Sequence, residues 1–393
     1  MSLHPSALNL PTPPPELLEL SQRLGVRLLE TIEREGPLPF DRYMAMALYE
    51  PGLGYYVNGL HKFGKAGDFV TAPEQGQLFA AALARQIDEV VTAPDWTLLE
   101  LGAGSGRLAR DLLETLAQPP DRYLILEPSA PLREMQHETL AALPAALAER
   151  VEWIAAPPDD AFDGVILANE VLDALPVSIF EIGADGPLER CVCIRGNRLD
   201  WTSRAPQPRL NAALQQLQQR LDQPLPIGYV SEICTDLPGW VDTVTRPLKR
   251  GAVLLIDYGY PRSEYYLPER AQGTLVCHYR HRAHFDPFVW PGLTDLSTFV
   301  DFSACAEAGL AAGLDLAGFT SQADFLLAMG AHEAIAQATD DVQRLRLAGE
   351  LKRLIMPGEM GEKFKVLALT RGLNFDLSGL VASDQRQRLD CPL

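Results

Sequence analysis

The sequence has few of the features that mark secreted, membrane-inserted or zinc-binding proteins. Its six cysteines are scattered and none is paired at the spacing of a zinc ribbon, which favours free thiols in a reducing compartment. No apolar stretch is long enough to span a bilayer. The N-terminal residues show neither a secretory signal pattern nor an Arg-rich presequence. We therefore expect a cytoplasmic, soluble protein without membrane insertion.

The chain is also poor in positive charge. It has 34 Lys and Arg against 52 Asp and Glu, which gives a net charge of −18. A field of this sign repels phosphate backbones, so nucleic acid is disfavoured as a partner, whereas a basic protein segment would be attracted. The 393 residues, 47% of them hydrophobic, suffice for one large core with insertions or for two domains. Composition leaves the oligomeric state open.

Short apolar runs alternate with amphipathic helical segments from Trp96 onward. The runs TLLEL, YLILE, VEWIA and DGVILAN appear in order, and the series resumes at residues 251–259 and ends at 363–372. Such alternation is typical of βαβ units around a parallel sheet buried on both faces. The sequence thus predicts an α/β fold with a Rossmann-like sheet and helices on both faces.

Two insertions interrupt this series. From the N-terminus we assign residues 1–95 to a helical region with a glycine-rich loop, 96–178 to the first part of the Rossmann-like domain, 179–250 to an insertion of hairpin and helix, 251–259 to a further strand of the domain, 260–301 to a second insertion, 302–373 to the C-terminal part of the domain and 374–393 to a tail.

The central motif is the segment Glu100–Arg107, which follows a predicted strand and opens a predicted helix. Its glycines, which allow a tight turn and a close approach of the backbone to a ligand, are Gly102, Gly104 and Gly106. A dinucleotide fingerprint would need glycine at the position of Arg107, so the pattern argues against NAD.

Two acids indicate what the turn binds. Glu100 ends the strand before the turn, where it can bond an ammonium group and would repel a pyrophosphate. Glu127 ends the next strand, where a carboxylate can accept both ribose hydroxyls of an adenosine. Together they favour a zwitterionic adenosyl ligand, S-adenosyl-L-methionine (SAM). The alternative is a glycine turn with two capping acids.

Polar residues also end the following strand, in the segment Asn169–Pro176. Side chains at the C-terminal end of a parallel strand line the ligand crevice. We expect Asn169 and Glu170 to line the cofactor site and to face the region of methyl transfer. Asp173 either joins them or caps the turn that Pro176 ends.

The chain resembles the MidA-like family in these motifs and in several other short segments. The matching segments, in chain order, are Gly67–Glu74, Glu100–Gly106, Glu127–Ser129, Asn169–Pro176, Asp257–Gly259, Pro291–Gly292 with Asp295–Leu296, Val300–Phe302 and Gly361–Phe364. The resemblance implies a class I methyltransferase fold. It also implies that the segment Gly67–Glu74 closes over the cofactor. The cofactor contacts it implies are Gly67, Asp68, Phe69, Thr71, Glu74, Pro128 and Ser129.

Eukaryotic members of that family are mitochondrial arginine methyltransferases that act in respiratory complex I assembly. The resemblance therefore implies a protein substrate, such as a respiratory-chain subunit. An arginine acceptor is always protonated in water, so it needs carboxylates that hold the guanidinium and take its proton. We expect Glu170 to be the catalytic carboxylate, with Asp173 assisting and Asp295 or Asp301 on the substrate side. Asp295 and Asp301 could equally be loop acids or helix caps.

The second insertion is rich in aromatic and acidic residues, a composition that can stack and pair a guanidinium. We expect it to form a substrate platform, unless its aromatic residues simply pack onto the core. Its three histidines, His278, His281 and His284, match neither a zincin helix nor a zinc finger, so no metal is expected. Two alternatives to a protein-arginine methyltransferase stay open, a SAM-binding assembly factor with little turnover and a methyltransferase for a small molecule or RNA.

Overall fold

The computed structural model describes residues 10–59 and 71–391, and it divides into two compact units. Unit 1 contains Met1–Phe69, Asp173–Leu237 and Ser263–Phe299, and unit 2 contains Val70–Leu172, Pro238–Arg262 and Val300–Leu393. Most of each predicted insertion thus folds with the N-terminal region. Residues 238–250, which we assigned to the first insertion, belong to unit 2, because they form a helix and the start of the next sheet strand.

Elements are numbered in chain order through both units. Those of unit 1 are α1 (Pro15–Glu35), β1 (Leu38–Pro39), α2 (Phe40–Tyr49), β6 (Ser178–Gly183), β7 (Gly186–Arg195), β8 (Arg198–Arg204), α8 (Pro208–Arg220), β9 (Val230–Ile233), β11 (Val276–Tyr279), β12 (Arg282–His284) and β13 (Asp295–Ser297). Short 3-10 turns occupy Tyr55–Val57 and Pro268–Arg270. A further 3-10 turn, Leu172–Ala174, and α10 (Arg262–Tyr265) lie where the chain passes between the units.

Unit 1 is built on two antiparallel sheets. One has the order β1-β7-β6-β9, with β8 paired to β7, and the other has the order β12-β11-β13. The β6–β7–β8 meander is the hairpin segment that alternation and turn residues predict. The N-terminal strand β1 joins it through the register Leu38↔Val192. The apolar faces of α1 and α2 cover these sheets, with Leu24, Leu28, Phe40 and Tyr43 fully buried.

The elements of unit 2 are α3 (Ala72–Gln75), α4 (Leu78–Val90), β2 (Thr97–Leu101), α5 (Arg107–Thr115), β3 (Arg122–Leu126), α6 (Ala130–Leu140), α7 (Ala145–Ala148), β4 (Val151–Ile154), β5 (Phe162–Asn169), α9 (Leu237–Thr245), β10 (Leu248–Tyr260), β14 (Val300–Asp301), α11 (Phe302–Ala311), β15 (Asp315–Ser321), α12 (Gln322–Ala328), α13 (Glu333–Ala336), α14 (Asp341–Ile355), β16 (Phe364–Arg371) and α15 (Ser378–Val381), followed by a 3-10 turn at Arg386–Leu389.

The main sheet of unit 2 has the order β15-β16-β10-β5-β2-β3-β4. The strands from β10 to β4 are parallel, and β16 runs antiparallel between β10 and β15. Every residue of β2 is buried, as expected of a strand covered on both faces. The predicted α/β fold with a Rossmann-like sheet is confirmed.

The strand order reverses at the centre of this sheet. From β2 the chain moves outward to β3 and β4, whereas β5 returns to the other side of β2 and leads on to β10. In open parallel sheets, ligands bind outside the carboxyl ends of the strands at such a reversal. We therefore expect the residues that follow β2 and β5 to line the ligand site. Among residues 10–59 and 71–391, no helix combines the length and the apolar character needed to cross a membrane.

Candidate active site

The glycine turn follows β2 and leads into α5. Gly102, Gly104 and Gly106 have φ values of 64°, 53° and 79°, a region that glycine adopts without strain. Gly106 precedes the first residue of α5 and provides no side-chain cap. A Cβ atom on Gly102 would lie 3.1 Å from Val171 Cγ2, so the turn is shaped for a residue without a side chain.

Glu100 is buried near the end of β2, with 3% of its surface exposed. The hydroxyl of Tyr123 on β3 donates to Glu100 Oε2 at 2.8 Å. Burial raises the pKa of Glu100 to about 7, and the nearby Glu127 charge adds to the rise, although the Tyr123 hydrogen bond opposes it. The carboxyl can thus change its charge near neutral pH.

Glu127 directly follows β3 and is held by α6. Its Oε1 accepts the Ser129 backbone N–H at 2.9 Å, and its Oε2 accepts Gln136 Nε2 at 3.2 Å. Gln136 also donates to the carbonyl of Gly104 at 3.0 Å and accepts the Trp153 indole N–H at 2.9 Å. Burial raises the pKa of Glu127. One amide side chain therefore connects the glycine turn to the second predicted cofactor acid.

The neighbours of Glu127 cap the next helix. Ser129 Oγ accepts the backbone N–H of Leu132 in the first turn of α6, at 3.4 Å. Pro128, beside it, is exposed. Both residues stay predicted cofactor contacts.

Asn169 and Glu170 end β5 beside the glycine turn. Glu170 has a φ of 54°, a left-handed conformation that is uncommon for a residue with a side chain. Its backbone N–H donates to Ile256 O at 2.9 Å, and its Oε1 accepts the Ala72 N–H and Asn169 Nδ2, each at 3.3 Å. The Oδ1 atom of Asn169 is buried, and none of the described residues donates a hydrogen bond to it. A buried acceptor of this kind can take a hydrogen bond from a ligand.

Asp257 on β10 supports the same segment from the neighbouring strand. It is fully buried, and its Oδ2 accepts the backbone N–H groups of Val171 at 3.2 Å and Leu172 at 3.0 Å. Asp257 lies in the segment Asp257–Gly259 but was not predicted as a site residue. The signal that could have found it is a charged residue near the end of the apolar run AVLLI.

The segment that leads into α4 packs on the glycine turn. Ser105 Oγ donates to Glu74 Oε1 at 2.6 Å, and Thr71, which precedes α3, is half-buried. The start of α4 is in turn bound to α14, where Glu350 Oε1 accepts the Leu78 N–H at 2.6 Å. Three predicted cofactor contacts, Gly67, Asp68 and Phe69, lie outside the described residues. Ser105 and Gln136 support the glycine turn but were not predicted as site residues. Gln136 could have been noticed as a polar residue midway between Leu132 and Leu140 on the buried face of α6.

The predicted residues Asp173 and Asp295 both lie in unit 1, although 122 positions separate them in the chain. Both are buried. Burial raises the pKa of Tyr56, and the charges of Asp295 and Asp173 add to the rise, which takes it well above its usual range. The ring of Tyr49 stacks on Tyr56 with centroids 5.6 Å apart. Asp173 also accepts the Thr298 N–H through its backbone carbonyl, at 3.0 Å. Unit 1 thus carries an acidic and aromatic cluster, made of Tyr49, Tyr56, Asp173 and Asp295.

Asp301 has a different setting, in unit 2. Its side chain accepts the Ala304 N–H at 3.1 Å and so caps α11. It also lies 3.6 Å from Arg262 Nε, while Arg262 makes two shorter bonds to Glu307. These contacts correspond to the helix-cap alternative that the sequence left open for this residue.

The second insertion turns most of its aromatic side chains inward. Tyr265 and Tyr266 are buried and donate their hydroxyls to Glu232, at 3.4 Å to its carboxylate and 3.0 Å to its carbonyl. Phe288 packs against Tyr43 and Trp201. Phe285 is 79% exposed. Packing onto the core therefore accounts for most of these aromatic side chains. The substrate platform stays a prediction, and of the four aromatic residues named here Phe285 is the one exposed enough to contact a substrate.

The three histidines of that insertion do not converge. His284 lies opposite Cys277 and His278 lies opposite Ala283, so the two imidazoles point to opposite faces of the β11–β12 ribbon. Burial lowers the pKa of His284 to about 4. Within the described part of the chain, no group of three or more His, Cys, Asp or Glu side chains could hold a metal ion.

The chain is similar in sequence to a family of methyltransferases and to several curated proteins. Residues 78–320 match a family model of S-adenosyl-L-methionine-dependent methyltransferases. The protein named "Protein arginine methyltransferase NDUFAF7 homolog, mitochondrial" of Drosophila melanogaster is 29% identical, over 90% of this chain and 85% of its own, and the human NDUFAF7 protein is 28% identical, over 87% and 82%.

Two solved structures are closer in sequence. A COG1565 superfamily member from Burkholderia thailandensis, bound to S-adenosyl-homocysteine (SAH), is 43% identical with a TM-score of 0.90, covering 96% of this chain and 99% of that one. A native crystal structure of a COG1565 protein from the same organism is 42% identical with a TM-score of 0.88, at the same coverage.

Proposed function

The chain belongs to this MidA-like family of SAM-dependent methyltransferases, and on that premise we propose that it methylates an arginine side chain of a partner protein, such as a respiratory-chain subunit. The names of its curated relatives support the arginine acceptor, at identities of 26–29%. The net charge of −18 supports a basic partner segment, because opposite charge speeds encounter.

The residues of unit 2 fit the cofactor. Gly102 leaves the space that a Cβ would fill beside Val171, and Asn169 Oδ1 is a buried acceptor in need of a donor. Glu127 offers carboxylate oxygens suited to ribose hydroxyls, and Glu100 offers one suited to an ammonium group. We expect these four residues, with Gly104 and Gly106, to hold SAM.

Bound SAM would supply an electrophilic methyl group on a sulfonium, so the protein contributes mainly by positioning the acceptor. An arginine acceptor brings a protonated guanidinium, which must be held by carboxylate and must lose a proton as the new N–C bond forms. Glu170 has the required chemistry. Its carboxylate accepts two N–H groups, which fix its direction at the end of β5.

The observation that carries the proposal is this placement of Glu170 at the strand reversal beside the glycine turn. A carboxylate there would both bind the guanidinium and accept its proton. Independently, the acidic and aromatic cluster of unit 1 supports a basic partner segment, since tyrosine rings and carboxylates are groups that bind cationic side chains. We propose that Asp173 and Asp295 act on the substrate side, as part of that cluster.

The test uses tritiated SAM, the purified protein and a cell extract, followed by mass mapping of the labelled residue. We expect label on arginine. The Glu170→Gln variant should lose about 10²- to 10⁴-fold in rate, the usual contribution of a general base, while SAH affinity stays within about threefold. Glu152→Gln, on the exposed edge strand β4, is the matched control and should transfer at the wild-type rate.

Other outcomes would contradict the proposal. Label on RNA, on a small molecule or on a residue other than arginine excludes a protein-arginine methyltransferase. A partner that binds without accepting label would indicate an assembly factor with little turnover. Full activity in Glu170→Gln would remove Glu170 from the mechanism.

A further inference from the structure

We propose that Asp257 is a positioning residue for methyl transfer, because its carboxylate fixes the backbone after β5 and thereby the direction in which Glu170 presents its carboxyl. This inference rests on the proposed function, since it takes Glu170 as the group that binds the acceptor. It adds a residue whose bonds to the backbone of Val171 and Leu172 act on Glu170 through the chain.

The contacts of Asp257 converge on that segment. Its Oδ2 accepts the N–H groups of Val171 at 3.2 Å and Leu172 at 3.0 Å, while its Oδ1 accepts the N–H of Tyr258 at 2.9 Å. Two oxygens thus accept three backbone N–H groups in a fully buried setting. Hydrogen bonds to a charged group in such a setting are stronger than neutral ones.

The segment needs this support because Glu170 leaves β5 in a left-handed conformation. A residue with a side chain keeps a φ of 54° only where its surroundings hold it there. The Glu170 N–H is fixed to Ile256 O at 2.9 Å, and the next two N–H groups are fixed to Asp257. Ile256 and Asp257 are consecutive residues of β10, so one strand holds the whole turn.

An amide could not replace the carboxylate fully. Asparagine at position 257 would offer one acceptor oxygen and turn an NH₂ group toward at least one backbone N–H. The turn would then relax, and Glu170 would lose its fixed direction. Glu100 is held by Tyr123, and Glu127 is held by Ser129 and Gln136, so both predicted cofactor acids have supports of their own. We therefore expect cofactor affinity to change much less than the rate of transfer.

The experiment compares Asp257→Asn and Asp257→Ser with the wild-type protein. The matched control is Asp163→Asn, which removes a half-buried carboxylate at the opposite end of β5. The readouts are kcat with the acceptor that the wild-type protein labels, KM for SAM, SAH affinity by calorimetry, and amide hydrogen exchange at Val171 and Leu172. We expect kcat to fall about 10- to 100-fold in both Asp257 variants, with SAH affinity within about threefold and faster exchange at the two amides.

Two results would overturn the inference. One is a kcat within about threefold of wild type in a folded Asp257 variant. The other is a loss of SAH affinity in proportion to kcat, which would show general damage to the unit. If neither variant folds, amide hydrogen exchange is measured at Val171 and Leu172 in the wild-type SAH complex. Fast exchange at both amides would show that Asp257 does not hold them, and would overturn the inference. Failure of the proposed function gives a different result, because the residue labelled by tritiated SAM is then not arginine. In that case kcat of the variants and of the wild-type protein is compared with the acceptor that is labelled.

Discussion

Tyr123 and Glu100 lie on neighbouring parallel strands, both are buried, and the tyrosine hydroxyl donates to the carboxyl at 2.8 Å. The tyrosine favours the charged form of Glu100, whereas burial and the charge of Glu127 favour the neutral form. Burial prevails, and the pKa of Glu100 is about 7. The charge available for the cofactor's ammonium therefore depends on pH in the neutral range.

The first prediction is that SAH binds more tightly as the pH rises through 7. With a pKa of about 7, Glu100 is roughly one-tenth ionised at pH 6 and nine-tenths at pH 8, so the affinity should rise by about an order of magnitude over that range. The affinity rises with pH because the ionised carboxylate of Glu100 attracts the ammonium group of SAH. Calorimetry at a series of pH values measures it.

Two variants serve as controls for this pH dependence. Glu100→Gln should flatten it, because glutamine does not ionise. Tyr123→Phe should move its midpoint to higher pH, because the hydrogen bond that lowers the Glu100 pKa is lost. An unchanged slope in Glu100→Gln would show that another group is responsible.

A second prediction concerns the glycine turn. Gly104→Val should abolish SAH binding while leaving the fold largely intact, because the new side chain would both occupy ligand space and adopt a φ of 53°, which costs roughly 1–2 kcal/mol. Gly239→Val is the control, since a Cβ at Gly239 meets nothing within 4 Å. Unchanged affinity in Gly104→Val would place the cofactor elsewhere.

A third prediction addresses Glu127. Glu127→Gln should weaken SAH binding about 10- to 100-fold, because hydrogen bonds to a charged group contribute roughly 1.5–3 kcal/mol. Its bonds to Ser129 N and Gln136 also order the turn, so part of the loss will reflect positioning. Glu152→Gln, on the next strand, should bind SAH normally. Equal affinity in both variants would contradict the ribose role.

The parallel sheet and the glycine turn could be predicted because their signals are local. Alternation of strands and helices is visible in a short window, and the turn needs glycine at fixed positions. The conformation of Glu170 could not be predicted, because it depends on Ile256 and Asp257, more than 80 positions away. Periodicity says nothing about which distant strand supplies such contacts.

The membership of unit 1 was likewise beyond a local pattern. Pairing of Leu38 with Val192 joins the N-terminal region to the first insertion, and Glu232 joins that insertion to the second. Asp173 and Asp295 both raise the pKa of Tyr56, although the three residues are far apart in the chain. The sequence selected both acids for their charge but could not show that they share one neighbour.

A fourth prediction is that Glu232 stabilises unit 1. Its buried carboxylate accepts the N–H groups of Thr274 and Leu275, at 3.0 Å and 3.1 Å. Glu232→Gln loses one acceptor oxygen and should lower the free energy of unfolding by about 1.5–3 kcal/mol. Urea unfolding followed by tyrosine and tryptophan fluorescence measures this change. Glu181→Gln, half-buried on β6, is the control, and equal stability of the two variants would contradict the prediction.

The last prediction separates acceptor binding from cofactor binding. Asp295 is buried on β13 and its charge acts on Tyr56, whose ring stacks on Tyr49. If this cluster binds a basic side chain of the partner, then Asp295→Asn should raise KM for the acceptor about tenfold or more, since a charged hydrogen bond is lost. SAH affinity should stay unchanged, because the glycine turn, Glu100 and Glu127 belong to unit 2. Asp301→Asn is the informative comparison, since that acid caps α11 and pairs with Arg262. It should lower stability and leave KM for the acceptor near the wild-type value. A rise in KM for Asp301→Asn without one for Asp295→Asn would reverse the assignment of the two acids, and no rise in either would show that the acceptor is held elsewhere.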